Sequence, residues 1–254
     1  MALSDNLVAF WKLGEVSGTR VDSIGSNDLG DNASVTQADG KIGNAAQFTR
    51  ANSEFLDIAD NTDMSTGDID FNIGAWIWID AKPTGGGKFL AIANKYKSST
   101  NQREWALEWE EDTDRINFSV SPDGSTSGSS ALIAADSFGS PPIGEWIFVL
   151  AWHDAVNDTI NIQINNGPVD SLAHTLGVFD GTQAFQIGSI NSLGYFDGRI
   201  DAVGWWKGAL TQLERTQAYN DGSGFEPPFP NPSTFTEPVT VVTHSCGTFT
   251  GMVK

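Results

Sequence analysis

Apolar and polar residues alternate with a period of two along much of the chain. In Thr159-Ile160-Asn161-Ile162-Gln163-Ile164-Asn165 three isoleucines alternate with polar residues. That is the pattern of an antiparallel strand with one packed face and one solvated face. Asn165-Asn166-Gly167 follows at once, and Asn-Gly supplies the positive φ angles of a tight hairpin. Upstream, Glu145 to Trp152 is a more uniformly apolar strand, with Asp154 to Asp158 as the turn between them. The same reading predicts strands at Leu7 to Leu13, Ala45 to Phe48, Phe55 to Ala59, Phe71 to Ile79, Phe89 to Lys95, Glu104 to Glu110, Arg115 to Val120, Ala184 to Gly188 and Gly198 to Trp206. They recur roughly every 10–15 residues with Gly, Asn, Asp or Ser clusters between them, which predicts an all-β sandwich. Thr84 to Gly87 and Ser121 to Ser130 read as rim loops. One helix is signalled. Thr211-Gln212-Leu213-Glu214 fits a capping box, and Gly222 suits a left-handed end.

Beyond the helix the composition changes. Glu226 to Pro238 holds five of the ten prolines. Proline removes backbone donors and favours extended geometry, so this is an arm rather than sheet interior. Val239-Thr240-Val241-Val242-Thr243 is β-branched but too short to fold alone. The expected division is a jelly-roll domain over residues 1–222 and an extended arm over 223–254. In that arm Pro227 and Pro228 hold the chain extended, and Val239 and Val241 lie on a short terminal strand for assembly.

Charge narrows the function classes. Fourteen Lys+Arg stand against 32 Asp+Glu, a net charge of −18. This disfavours phosphate-tracking nucleic-acid binding and docking on anionic lipid. With only 18% charged and 11% aromatic residues, the acidity is not a signature of disorder. No apolar run is long enough for a membrane-spanning helix. The opening Met-Ala-Leu-Ser-Asp-Asn has neither basic nor apolar character, so no secretory leader is expected there. Cys246 is the only cysteine and cannot form an intrachain disulfide, which suits folding in a cytosol. His153, His174 and His244 are scattered and suggest no metal triad.

The order of segments resembles the concanavalin A-like, laminin-G-like jelly-roll domains. The resemblance begins with Leu7-Val8-Ala9-Phe10-Trp11-Lys12-Leu13-Gly14-Glu15, Ser17-Gly18 and Val21-Asp22-Ser23. It continues through Gly43-Asn44-Ala45-Ala46-Gln47-Phe48, Phe71 to Ile77 and Glu145 to Val149. It closes on Phe196-Asp197-Gly198-Arg199-Ile200-Asp201-Ala202-Val203-Gly204-Trp205-Trp206 and the helix that ends Tyr219-Asn220-Asp221-Gly222. It implies two stacked antiparallel sheets, with the N-terminal and penultimate strands side by side. In many similar domains a calcium ion is held by an acidic residue of the early loop and the Asp of the closing strand. The matching positions are Asp22 and Asp201, with carbonyls from Gly25 to Asn32 available. The alternative is that both carboxylates cap turns.

Catalysis is not expected. Glu104-Trp105-Ala106-Leu107-Glu108-Trp109-Glu110 as a strand places Glu104, Glu108 and Glu110 on one face and Trp105, Leu107 and Trp109 on the other. Laminarinase-type enzymes of this fold carry Glu-x-Asp-x-x-Glu, and Ala106 stands where the Asp is required. Trp11, Trp76, Trp146 and Trp205 are expected in the core. Of Trp78, Trp109, Trp152 and Trp206 some must face outward, and Trp109 and Trp152 are the candidates for stacking on a sugar. A jelly roll followed by a Pro-rich arm is similar to phage head-decoration or tail-fibre components. The expectation is therefore a non-enzymatic virion structural or adhesion protein, assembled in the host cytoplasm, with a lectin-like domain. Its partners would be other virion proteins, further copies of itself and a surface glycan. The alternatives are a carbohydrate-binding module and, third, a glycoside hydrolase.

Overall fold

Among the described residues fifteen strands form where the alternation is strongest and, in four places, where it is absent. The computed structural model describes residues 2–126 and 130–229. Its strands are β1 (Leu7–Trp11), β2 (Gly30–Asn32), β3 (Thr36–Asp39), β4 (Asn44–Phe48), β5 (Phe55–Ile58), β6 (Phe71–Ile79), β7 (Phe89–Lys97), β8 (Gln102–Glu110), β9 (Arg115–Val120), β10 (Ala131–Ala134), β11 (Trp146–Asp154), β12 (Thr159–Ile164), β13 (Val169–Ala173), β14 (Phe185–Ile187) and β15 (Gly198–Trp206). The first sheet has the order β13-β12-β11-β6-β15-β4-β3, with β1 also paired to β15. The second has the order β10-β9-β8-β7-β14-β5-β2. All pairings are antiparallel, and β1 lies beside β15 as the resemblance implies.

The space between the sheets is filled by the inward faces of both. Trp105 stacks on Trp205 with centroids 5.4 Å apart, Phe71 lies against both, and Trp11 stacks on Phe185 at 5.1 Å. Two of the buried indole N–H groups find carbonyls: Trp11 Nε1 donates to Asn27 O at 2.7 Å and Trp205 Nε1 to Asp63 O at 3.0 Å, while Trp105 Nε1 has no partner among the described residues. The first two follow the rule that a buried donor without a partner is costly.

A second apolar cluster lies on the outer face of the first sheet. Phe10, Trp76, Phe148, Leu150, Trp152 and Trp206 project there, opposite the inward residues of the same strands. The helix α1 (Gln212–Tyr219) covers them. Thr211 caps it with both bonds of the capping box, and Asn220, at φ 48°, ends it in the left-handed conformation two residues before the expected Gly222. Tyr219 stacks on Trp76 at 5.8 Å, and the Arg215 guanidinium lies 4.7 Å over the Trp152 ring. Residues 224–229 continue the cover. Glu226 pairs with Lys12 at 3.0 Å, and Phe229 meets Phe10 edge-on at 5.8 Å. Gly224 is required at this crossing: its φ is +71°, and a Cβ would lie 2.6 Å from Trp76 Nε1. The gap left beneath the cover is about 10 Å³, scarcely room for one water.

Two local expectations are corrected. The polar face of β12 is not solvated, because Asn161 and Gln163 are buried and Gln163 Oε1 accepts from Arg215 Nε at 3.0 Å. Glu104 does not share the face of Glu108 and Glu110. A bulge where Lys95/Tyr96 pairs with Trp105/Arg103 turns it inward, and it is fully buried. The described start of the expected arm lies on the first sheet, with Pro227 half-buried and Pro228 exposed. Val239, Val241, Cys246 and His244 lie outside the described residues.

Candidate functional site

Asp22 and Asp201 are both buried, and each is surrounded by N–H donors. Asp22 accepts from the amides of Phe10 at 3.0 Å, Ile24 at 2.9 Å and Asn27 at 3.1 Å. Asp201 sits beside a bulge of β15 at Ala202, and its Oδ2 accepts from the amides of Lys41 at 2.7 Å and Ile42 at 2.9 Å. Burial pushes the Asp201 carboxyl up to about 7 against those bonds. Calcium requires converging oxygens. Amide hydrogens meet both oxygens of Asp22 and Oδ2 of Asp201, whereas Asp201 Oδ1 is buried with no hydrogen-bond partner among the described residues. Among the described residues no group of three or more His, Cys, Asp or Glu side chains is placed to hold a metal. Both carboxylates bind loops to strands, Asp201 across the connection between β3 and β4.

The two sugar-stacking candidates are also placed away from solvent. Trp109 is 2% exposed, belongs to the core between the sheets, and donates Nε1 to Asp114 at 2.9 Å. Trp152 is 5% exposed and covered by Arg215. Neither ring offers a face to a ligand, which corrects the expectation for both. Trp206 is buried as well, and Trp78 is the half-exposed member of that set, lying 4.9 Å beneath the Arg199 guanidinium. His153 and His174, distant in sequence, meet at 6.2 Å. Each is held by a backbone carbonyl, Ile69 O at 2.8 Å and Gly177 O at 2.7 Å.

The outer face of the second sheet is different. Ala91, Ala106 and Ile190 form a small apolar patch there with Phe89 and Tyr96. Two grooves meet at Tyr96. One, of about 240 Å³, is lined by Arg103, Glu108, Ser119 and Ser130 among others. The other, of about 220 Å³, is lined by Gln183, Gln186, Asn191 and Ser192. Cross-strand pairing places these groups. Tyr96 faces Arg103 across β7 and β8, and Arg103 Nε donates to the Tyr96 hydroxyl at 3.2 Å. Gln186 on β14 faces Asn94, whose amide donates to Ser189 O at 2.7 Å and whose buried Oδ1 has no partner among the described residues. Burial, and then the charge of Glu110, push the Glu108 carboxyl up to about 7. A half-buried aromatic ring thus lies between amide, hydroxyl, guanidinium and carboxyl groups. Apolar ring faces and hydroxyl-bonding groups are together the chemistry of a sugar site. The sequence pattern did not single out Tyr96. Its signal was the small residue Ala106 on an otherwise bulky strand; the ring is half-buried, with the Arg103 guanidinium 5.6 Å over it.

The fold recurs in proteins of very different sequence. The binding domain of Paraclostridial Mosquitocidal Protein 1 superposes with a TM-score of 0.66 at 16% identity, over 84% of this chain and 51% of that one. The botulinum neurotoxin serotype D ligand-binding domain, solved in complex with N-acetylneuraminic acid, gives 0.63 at 13% identity, over 85% and 51%. Domain 4 of AbnA, a GH43 extracellular arabinanase from Geobacillus stearothermophilus in complex with arabinotriose, gives 0.55 at 19% identity, over 83% and 97%. The chain therefore spans about half the length of the toxin binding domains and nearly the whole of the arabinanase domain. No curated protein sequence matches it. The profile of one family covers residues 50–214, well over half the chain: by fold and by sequence the chain belongs to the Concanavalin A-like lectin/glucanases superfamily.

Proposed function

We propose that this chain is a non-catalytic carbohydrate-binding domain whose glycan lies across the outer face of the second sheet, over Tyr96. The observation that carries this reading is the meeting of two polar grooves at one aromatic ring, on a sheet face that no helix covers. Tyr96 would stack on a sugar ring, with Arg103 and Glu108 bonding hydroxyls on one side and Gln186 and Asn191 on the other. The sugar complexes of two structural neighbours support the reading. A non-enzymatic role is supported by Ala106 at the position where the hydrolase motif needs an acid. It is supported further by the engagement of Glu104 with Lys95 at 2.8 Å. A glycan array followed by calorimetry tests it. Wild type should bind at least one oligosaccharide, and Tyr96→Ala should lose that binding while Trp109→Phe keeps it. Absence of binding to every glycan, or full binding by Tyr96→Ala, rejects the site.

A virion structural or adhesion role is a second reading, favoured by one observation. Phe229, the last described residue, is fixed on the first sheet, on the side of the sandwich opposite the grooves. Attachment and recognition would then lie on opposite faces, with further copies or other virion proteins holding the arm. Truncation after Phe229 should leave a folded, glycan-binding domain that no longer assembles. Unchanged assembly rejects the arm as the attachment element.

A further inference from the structure

Lys95 is fully buried, and its ammonium group lies between two carboxyl groups from different parts of the chain. Nζ is 2.7 Å from Asp60 Oδ1 and 2.8 Å from Glu104 Oε1. Glu104 is fully buried too, and fixed: its Oε2 accepts from Thr66 Oγ1 at 2.7 Å and its Oε1 from the Gly181 amide at 3.0 Å. Trp105, the cross-strand partner of Lys95, is wholly inside the core. Three ionisable groups in such a place carry a large desolvation cost. A lysine amine that has handed its proton to a neighbouring carboxylate is a nucleophile.

We infer that Lys95 and Asp60 become joined by an intramolecular isopeptide bond, with Glu104 carrying the proton. The juxtaposition of a buried amine, a carboxyl in contact with it and a second, immobile carboxyl on the same nitrogen supports this. One proton moves from Nζ to the Asp60 carboxylate, giving a neutral amine and a carboxylic acid. The nitrogen lone pair adds to Cγ, forming the N–C bond and moving the carbonyl pair onto oxygen. Glu104 takes a proton from the now cationic nitrogen and delivers it to the hydroxyl on Cγ. The carbonyl re-forms, the C–O bond breaks with its electron pair, and water leaves. The products are one amide and one water, Glu104 is regenerated, and no oxidant, reductant or cofactor is consumed. Fixed contact replaces the encounter of two reactants, the usual source of large rate gains in intramolecular reactions. Burial pushes the Glu104 carboxyl up to about 7 against the pull of Lys95, so both of its protonation states are accessible near neutrality.

The bond would tie β7 to the chain that follows β5, across the short strand β14, and close a ring containing all of β6. A covalent ring of this kind stabilises by limiting the unfolded chain. Mass spectrometry of the full chain, denatured, tests it. Wild type should be lighter than its sequence by one water. Tryptic digestion should yield peptide 51–88 joined to peptide 89–97, with no cleavage at Lys95. That joined pair separates the bond from a succinimide elsewhere. Lys95→Arg and Asp60→Ala should have the full sequence mass and melt at a lower temperature. Asp60→Asn should reach the same product by losing ammonia. Glu104→Gln should stay linear while retaining the wild-type circular dichroism spectrum. A wild-type chain of full mass, cleaved normally at Lys95, overturns the bond, and a joined Glu104→Gln chain overturns the role of Glu104.

Discussion

The two outer faces of the sandwich are built alike in backbone and oppositely in side chains. On the first sheet, Trp76, Phe148, Trp152 and Trp206 project outward and are covered by α1 and residues 224–229. On the second, the corresponding positions on β7 and β8 hold Ala91, Asn94, Ala106 and Glu108; no helix lies over them, and only the turn after β14 packs there, with Ile190 on Ala91 and Ala106 and Ser189 O on Asn94. The bulky face became a second core because large apolar side chains bury whatever chain can reach them. The smaller, more polar face is covered only in part, by the turn after β14, and keeps grooves that meet at Tyr96. Most of the tryptophans therefore report stability rather than recognition, which is why Trp109 and Trp152 were misleading as sugar candidates.

The comparison can be broken most forcefully from the covered face. Trp76→Ala removes an indole that is 2% exposed and stacked on Tyr219. It should cost about 3–5 kcal/mol in urea unfolding, the range for large-to-small changes at buried aromatics. Thr211→Ala deletes the side-chain bond of the capping box, leaving the bond from the residue 211 amide to Glu214, and should cost about 1 kcal/mol. Phe229→Ala, at a half-buried edge contact with Phe10, should likewise cost about 1 kcal/mol. On the bare face Tyr96→Ala should cost no more than about 1 kcal/mol while abolishing glycan binding. If Tyr96→Ala destabilises as much as Trp76→Ala, the second face is a core too and the contrast fails.

The pH dependence sharpens the same contrast. The carboxyls of Glu108 and Asp201 are raised to about 7 in the folded chain, chiefly by burial. Between the ordinary carboxylate range and about 7 the folded state holds protons that the unfolded state has released. Their contribution is complete at low pH and is lost as pH rises through about 7. The melting temperature should therefore be lower at pH 8 than at pH 5.5. Glu108→Gln should remove part of that slope and raise the melting temperature at pH 8, whereas an unchanged slope would place the effect at Asp201 and other groups. The two faces can thus be titrated separately by calorimetry.

Much of the fold was legible before any coordinates. The missing strands share one property. Gly30–Asn32, Thr36–Asp39, Ala131–Ala134 and Val169–Ala173 are the end strands of the two sheets. An edge strand is held by backbone bonds to one neighbour and buries little side chain, so it need not alternate. The uniformly apolar run from Glu145 to Trp152 has the opposite cause. Both of its faces are buried, one in the core and one under α1.

The site was less legible, for a different reason. Sequence alone determined that Asp22 and Asp201 stand at special positions, but not which loop amides bind them or that Asp201 Oδ1 is left without a partner among the described residues. It determined that Glu104 adjoins Trp105, but not that a bulge turns it inward onto Lys95 and Asp60. It gave Tyr96 no distinction, because a ring becomes a site only when its neighbours across three strands are small or polar. Periodicity along one strand is a local property, written in consecutive residues. The surroundings of a side chain are assembled from residues far apart in the chain, and pairing register decides which of them meet. The all-β sandwich, its capped helix and its acidic surface therefore follow from the sequence. The bare groove, the covered second core and the buried Lys95 cluster exist only through the tertiary structure.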